Sequence, residues 1–344
     1  MSTRPSTFFL LGAGFGVDAG ALVGPIEAES IYIGKYRFTC AYPLVRDLPR
    51  ICFPDATPAV PVAEVEKRLG EAVQAGDNGP IDRLCHELAK ADYYLAPALV
   101  GWPKRPNPYA RFFSDFPSSS FATYNYDAFV EFALFRAGRW FPHDGYGVKV
   151  AVDLGFTAQP YEMRDSGSLV LHLHGTYLVY SYDHTFGAPD RNGVQWMEIF
   201  DTSRFAFDPH SLGNRFYPFQ RVMAGLAYRH ELPDRIVAPI PDKAAGLKAE
   251  FVRGVARKAK DLIADHGQVV AIGYAFAGHD EASYSEILET LNATSRPRAV
   301  IVSPEASAIV ARLQSRYSKV DWVAVDLGFA AWVEADYFGL PSSV

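Results

Sequence analysis

Short runs of consecutive apolar residues, each cut off by glycine or by turn chemistry, punctuate this chain. Thr7 to Leu11, Leu169 to Leu173 and Val269 to Ile272 are too short for helices and read as buried strands. Ala299 to Val302, which stops at Ser303-Pro304, and Trp322 to Val325 add two more, and Phe121 to Asn125 is strand-like up to its asparagine. Helical periodicity runs through Ala128 to Ala137, Leu247 to His266, Glu281 to Ala293 and Glu305 to Tyr317. Asp127 is placed to cap the first of these, and Gly267 to stop the second. Strand and helix in alternation predict an α/β fold, a parallel sheet with helices on both faces.

Three stretches interrupt the rhythm. Residues 26–117 hold helical pieces, Val62 to Gln74 and Ile81 to Leu88, among many prolines, and read as a mainly helical insertion. Gly138 to Ser168 is rich in glycine and aromatics. Residues 181–232 carry Trp196, Phe200, Phe205, Phe207, Phe216, Tyr217 and Phe219 and read as an aromatic-rich insertion or lid over the sheet's ligand end. No internal repeat is visible, so residues 1–344 are expected to form a single enlarged domain.

Composition narrows the function classes. With 49% of 344 residues apolar and 14% aromatic, the chain is neither a disordered tail nor a fibre nor a small disulfide scaffold. Thirty-three basic against thirty-nine acidic side chains, a net charge of −6, argue against extensive nucleic-acid binding. Cys40, Cys52 and Cys85 are an odd set without a C-x-x-C pair, which fits a reducing cytoplasm and neither a zinc ribbon nor a disulfide framework. The apolar run Phe8 to Leu11 breaks at Gly12, too soon for a signal segment or a membrane span.

Chemistry-bearing residues gather where the strands end. Gly12-Ala13-Gly14-Phe15-Gly16-Val17-Asp18-Ala19-Gly20 follows the first strand directly. Glycines there allow a tight turn and close approach of backbone to a pyrophosphate, although Val17 breaks the G-x-G-x-x-G fingerprint and a purely structural turn accounts for the residues equally well. In Thr123-Tyr124-Asn125-Tyr126-Asp127, Asn125 offers an amide to a carboxamide or a water, and Asp127 either caps a helix or accepts from a ligand. Leu171-His172-Leu173-His174-Gly175 places two histidines on one side of a strand. His174, exposed at the ligand edge, is the candidate general base, and His172 reads as a hydrogen-bonded structural residue. No carboxylate or cysteine lies near enough in sequence to complete a metal set with them, so no metal is expected.

Taken together, Gly12-Ala13-Gly14 with Gly20, Thr123-x-Asn125-x-Asp127, Leu173-His174-Gly175, and Ala271-Ile272-Gly273-Tyr274-Ala275-Phe276 with Asp280 resemble the sirtuin-like family of NAD-binding proteins. The likeness is to its bacterial SIR2-like, non-deacylase branch, and its motifs keep the family's order from about residue 7 to 330. The resemblance implies a Rossmann-like (sirtuin/DHS-like) sheet that binds NAD or ADP-ribose. Asn125 and Asp127 would then lie near the nicotinamide ribose and carboxamide, with His174 as catalytic histidine. Gly273, Tyr274 and Phe276 would lie under the adenosine half, and Ser303 would mark the next ligand-side turn. Gly16 and Ala275 stand where the family commonly has serine, leaving backbone N–H groups, Thr123 or Asp18 to contact phosphate or ribose.

The activity so implied is hydrolysis of NAD+ at the nicotinamide–ribose bond. In bacterial relatives it is commonly latent until a partner protein or homo-oligomer switches it on, and it serves anti-phage defence. Three alternatives stand beside it: a non-catalytic NAD or ADP-ribose sensor, an NAD-dependent deacylase, which the lack of paired cysteines disfavours, and a soluble α/β protein whose glycine turn and histidine are structural.

Overall fold

The computed structural model describes residues 6–30, 34–56, 58–77, 79–101, 106–141, 144–148, 151–152, 165–176, 179–181, 205–207 and 250–340. The first strand, β1 (Phe8–Leu11), is buried along its whole length, which is why its sequence is an unbroken apolar run instead of an alternating one. It pairs in parallel with β4 (Ser120–Thr123) on one side and β9 (Gln268–Ile272) on the other. Beyond β4 lies β6 (Val170–His172), and beyond β9 lie β10 (Arg298–Val302) and β11 (Asp321–Val325), every pairing parallel.

The spatial order β11-β10-β9-β1-β4-β6 has a definite meaning. Counting only these six strands along the chain, it reads 3-2-1-4-5-6 from the β6 edge, the order of a doubly wound Rossmann-like sheet. The chain winds outward from β1 in one direction, then returns and winds outward from β9 in the other. Between β1 and β9 the winding reverses, and the loops leaving their carboxyl ends must diverge to opposite faces. That divergence opens a crevice. The register sets Leu11 opposite both Thr123 and Ile272, so the turns after β1, β4 and β9 start at one level.

Helices cover the sheet. α7 (Glu250–His266), α8 (Glu281–Asn292), α9 (Ala306–Leu313) and α10 (Phe329–Glu334) belong to the second half. α7 ends at Gly267, whose φ of +63° is the left-handed conformation that closes helices. Between β1 and β4 come α1 (Ala19–Val23), α2 (Leu48–Cys52), α3 (Val62–Gln74), α4 (Gly79–Ala96) and α5 (Pro108–Asp115). The stretch expected to be helical from Ile81 to Leu88 is the middle of α4, which continues as a wider π turn over Pro97–Gly101. Proline lacks the N–H of the regular ladder, and widening the turn accommodates its ring without ending the helix.

Two features go beyond the sequence expectation. An antiparallel hairpin, β2 (Ile26–Ser30) with β3 (Gly34–Phe38), opens the inserted stretch. A separate three-stranded sheet joins β5 (Ala151–Val152), β8 (Phe205–Phe207) and β7 (Val179–Ser181). Apart from Ser181 and β8, residues 181–232 lie outside the described residues, so the expected lid is not placed.

One core cluster binds the layers. Phe9 packs edge-on against Phe112 and Phe116 and stacks on Phe121, while Phe15 meets Tyr109, Phe112, Phe113, Phe129 and Phe329. Phe15 belongs to the turn after β1 and Tyr109 donates its hydroxyl to the Phe15 carbonyl at 2.6 Å. The insertion's last helix, α5, is thereby fixed to the sheet beside the crevice. Cys40, Cys52 and Cys85 are separate buried thiols, and burial pushes Cys52 up to about 11. No helix among the described residues is long and apolar enough to cross a membrane.

Candidate functional site

The turns after β1 and β9 interlock. Gly12 N–H donates to the Ile272 carbonyl at 3.0 Å and Gly14 N–H to the Gly273 carbonyl at 2.9 Å, extending the β1/β9 pairing past the strand ends. A β-carbon on Gly12 would sit 2.6 Å from the Gly273 carbonyl oxygen, and one on Gly14 would sit 2.8 Å from Gly273 Cα. These glycines exist to let two backbones touch. After them the chain makes a single 3₁₀ turn, Ala13–Gly16, and α1 has only five residues, so the helix that follows β1 is too short to bring a sizeable dipole to the crevice. Gly20 packs under the Cys40 carbonyl.

A cleft of about 320 Å³ opens at this crossing, within the size range of small-ligand sites. Its floor is Ala13, Asn125, Asp127, His174, Gly273 and Tyr274; its far wall is Pro43, Leu44, Val45, Leu48, Leu84 and Leu88 from the inserted layer. Three carboxylates, Glu66, Asp127 and Asp280, face it, and no lysine or arginine among the described residues does. The floor is therefore polar and negative, and the wall from the inserted layer is apolar apart from Glu66.

Asn125 is held from three directions. Its backbone N–H donates to Thr123 Oγ1 at 3.0 Å, its side-chain Nδ2 donates to the Gly12 carbonyl at 3.2 Å, and its own carbonyl accepts from His172 Nδ1 at 2.9 Å. With one Nδ2 proton given to Gly12, the amide can offer a ligand its side-chain oxygen as acceptor and its second N–H as donor. Asp127 stands two residues on. It does not cap α6 (Phe129–Arg136), as the sequence predicts; Ala128 is the N-cap residue, and its N–H donates to Asp92 Oδ2 of α4 at 2.7 Å. Asp127 accepts a long bond from Phe129 N–H, at 3.3 Å, and lines the cleft. Burial, then the negative charge of Glu131, push that carboxyl up to about 6, while His172 pulls it back.

His174 differs from its expectation. It lines the cleft but is 4% exposed, not open at the ligand edge. Its ring lies edge-on to Tyr124 with centroids 4.8 Å apart, and Nε2 lies 2.9 Å from Ser283 Oγ of α8. Nor do the two histidines share a face in practice. β6 ends at His172 and the chain turns at Leu173-His174, so the strand alternation stops before His174.

The remaining expected residues lie around the cleft without lining it. Gly12, Gly14 and Gly20 are in backbone packing, Thr123 Oγ1 serves Asn125, and Asp18 is the residue before α1. Ser303 Oγ accepts from Glu305 N–H at 3.3 Å. Phe276 has φ +51°, a conformation that sends its ring against Tyr274 and Tyr284, where it is 1% exposed. Arg312 holds that turn by donating to the Ala275 and Phe276 carbonyls at 2.7 and 2.8 Å.

Gly16 and Ala275 both line the cleft. At position 16 the space of a side chain is taken by Tyr42, whose ring would lie 3.1 Å from an added β-carbon and whose hydroxyl is tied to Asp92 Oδ1 at 2.8 Å. Tyr42, Asp92, Glu131 and Ser283 are the site's unforeseen members. A signal existed for Glu131, a lone charge in the otherwise apolar run Phe129 to Phe135, because such a residue inside a core needs a partner. Among the described residues no group of three or more His, Cys, Asp or Glu is placed to hold a metal ion. No protein-family model matches the chain, and no curated protein matches it.

Proposed function

We propose that the chain is an NAD+ hydrolase that resembles the bacterial SIR2-like branch: NAD+ and water give nicotinamide, ADP-ribose and a proton. The observation that carries the reading is the meeting of Asn125, Asp127 and His174 on one floor of a cleft at the reversal point of a doubly wound sheet. In this reaction the bond between the ribose and the pyridinium nitrogen breaks, its electron pair neutralises the ring, and positive charge develops on the ribose. Asn125 would orient the water or a ribose hydroxyl through its side-chain amide. Asp127 would accept from the carboxamide and, with Asp280 and Glu66, complement the positive charge of the substrate's nicotinamide end. His174, steadied by Ser283, would take the proton that the water gives up. On the same resemblance, activity in the cytoplasm that waits for an activating partner protein or homo-oligomer, in the service of anti-phage defence, extends the proposal.

A second reading has its own support. The N–H groups of Gly12 and Gly14 already serve backbone carbonyls, and neither Gly16 nor Ala275 offers a hydroxyl to phosphate or ribose. A protein that holds NAD or ADP-ribose without cleaving it would need no more than the cleft.

Incubation of the purified chain with NAD, following nicotinamide and ADP-ribose, separates the two. Turnover is expected, and His174→Ala should reduce it about 100-fold, the lower range of a lost general base. Saturable binding without nicotinamide release supports the second reading. Turnover that survives both His174→Ala and Asn125→Ala sinks the residue assignment.

The pH profile gives a further check. Asp127 has to be ionised to complement the cation, and its carboxyl ionises as pH rises through about 6. Turnover should therefore fall on acidification, reaching roughly a tenth of its plateau one unit below the midpoint. A flat profile between pH 5 and 7 removes Asp127 from the mechanism.

A further inference from the structure

Behind the cleft floor lies a charged cluster that the mechanism above does not use. His172 and Glu131 are both fully buried, and His172 Nε2 lies 2.6 Å from Glu131 Oε1. The other ring nitrogen, Nδ1, lies 2.9 Å from the Asn125 carbonyl, which can only accept, so Nδ1 carries a proton. Tyr146 donates its hydroxyl to the same Glu131 oxygen at 3.3 Å, and Glu131 Oε2 has no hydrogen-bond partner among the described residues. An ionised carboxylate this deep needs a cation, and the short contact to Nε2 supplies one if that nitrogen is protonated too.

We propose that Glu131 and His172 are positioning residues of the cleft, a buried carboxylate–imidazolium pair that clamps the Asn125–Asp127 turn through its backbone and balances the charge beside Asp127. The clamp joins three elements. His172 is the last residue of β6, Asn125 follows β4 by two residues, and Glu131 stands in the first turn of α6. With the Asn125 carbonyl drawn back onto His172, its side chain bonds Gly12 across the floor and lines the cleft. What the turn is positioned for rests on the NAD+ hydrolase reading; the clamp itself does not.

The groups around Asp127 define the charge balance. Glu131 lies on α6, His172 on β6 and Tyr146 between them, with Asp92 of α4 bonding the adjacent Ala128 N–H. Tyr109 of α5 feels the charge of Asp127, and Glu66, Asp280 and His174 share the cleft. Of this set only the two histidines can be cations, and His172 is the one that offsets the carboxylates at Asp127. Consistently, Glu131 and Asp127 raise the imidazole of His172 above its ordinary value against the opposing and larger effect of burial.

The test is a carbon-13 NMR titration of the Asp and Glu carboxyls in wild type, Glu131→Gln and His172→Gln, with Asp127→Asn to assign the signal. Glu131→Gln removes the negative neighbour, so Asp127 should titrate below its wild-type midpoint. His172→Gln removes the cation, so Asp127 should keep its proton to higher pH than it does in the wild type. Midpoints unchanged in both variants overturn the clamp, because a merely structural pair would not move them. If either variant fails to fold, the wild type still decides. Its His172 ring should keep both protons to a pH above the ordinary value of about 6.5, and titration at or below that value overturns the proposal. NAD turnover measured on the same samples keeps the two ideas apart. Shifted midpoints in a wild type that neither binds nor cleaves NAD would leave the clamp standing and remove the hydrolase; turnover with unmoved midpoints would do the reverse.

Discussion

Gly273→Ala is expected to cost the fold about 3 kcal/mol or more. Two separate penalties add at this position. Gly273 has φ +62°, where an alanine loses about 1–2 kcal/mol relative to the right-handed regions. Its new β-carbon would also lie 2.6 Å from Gly14 Cα and nearer still to Gly14 C and Phe15 N, all of them backbone. No side chain can swing aside to relieve the overlap, so the turns after β1 and β9 must separate. Forced overpacking of this kind typically costs about 1–3 kcal/mol. Separation would also strain the Gly14 N–H bond to the Gly273 carbonyl. Against a total stability of about 5–15 kcal/mol, the loss is large enough to read directly from urea denaturation midpoints. Gly138→Ala supplies the control: its φ is +66°, but nothing lies within 4 Å of the added carbon, so only the conformational penalty should appear. Equal losses in the two variants would mean that the two turns do not interlock.

The glycines show how far this site was legible. The sequence places Gly12, Gly14 and Gly273 at strand ends, and the structure puts them there. What the structure adds is their packing partner, because each meets another turn more than 250 residues away in the chain. Pattern reading finds elements well when burial is two-sided. β1, β9 and β10 are short apolar runs because helices cover both faces of the sheet, and α3 runs from Val62 to Gln74 as its periodicity predicts.

It fails for contacts that only topology creates. Asp92 meets Ala128, Glu131 meets His172, and Ser283 meets His174 across 36, 41 and 109 residues. Local propensity carries no record of such pairs, although a charge inside an apolar helix face marks where one is needed. The hairpin β2–β3 was legible in principle. Ile26-Glu27-Ala28-Glu29 alternates with period two, and the register sets Glu27 opposite Arg37 and Glu29 opposite Lys35. Its setting, within a proline-rich and otherwise helical stretch, hid it.

Asn125→Ala should reduce NAD turnover about 100-fold or more while changing the affinity for ADP-ribose little. The substitution removes a side-chain amide on the cleft floor whose orientation three neighbours set. Nδ2 is tied to the Gly12 carbonyl and the backbone to Thr123 Oγ1 and His172, so the amide plane is fixed before any ligand arrives. Pre-set orientation is worth most in the transition state, where a misplacement of about 1 Å costs on the order of 100-fold. The fall should therefore appear in kcat more than in KM. Losing the bond to Gly12 also costs about 1 kcal/mol of stability, which a melt would register separately. Asn125→Asp sharpens the reading, because it keeps an oxygen at the site but turns a carboxylate toward the Gly12 carbonyl, two acceptors face to face. If orientation by that amide is what matters, the aspartate variant should be nearly as slow as the alanine one at neutral pH. Full activity in Asn125→Asp would show instead that any oxygen suffices and that the hydrogen bond to Gly12 has no part in catalysis.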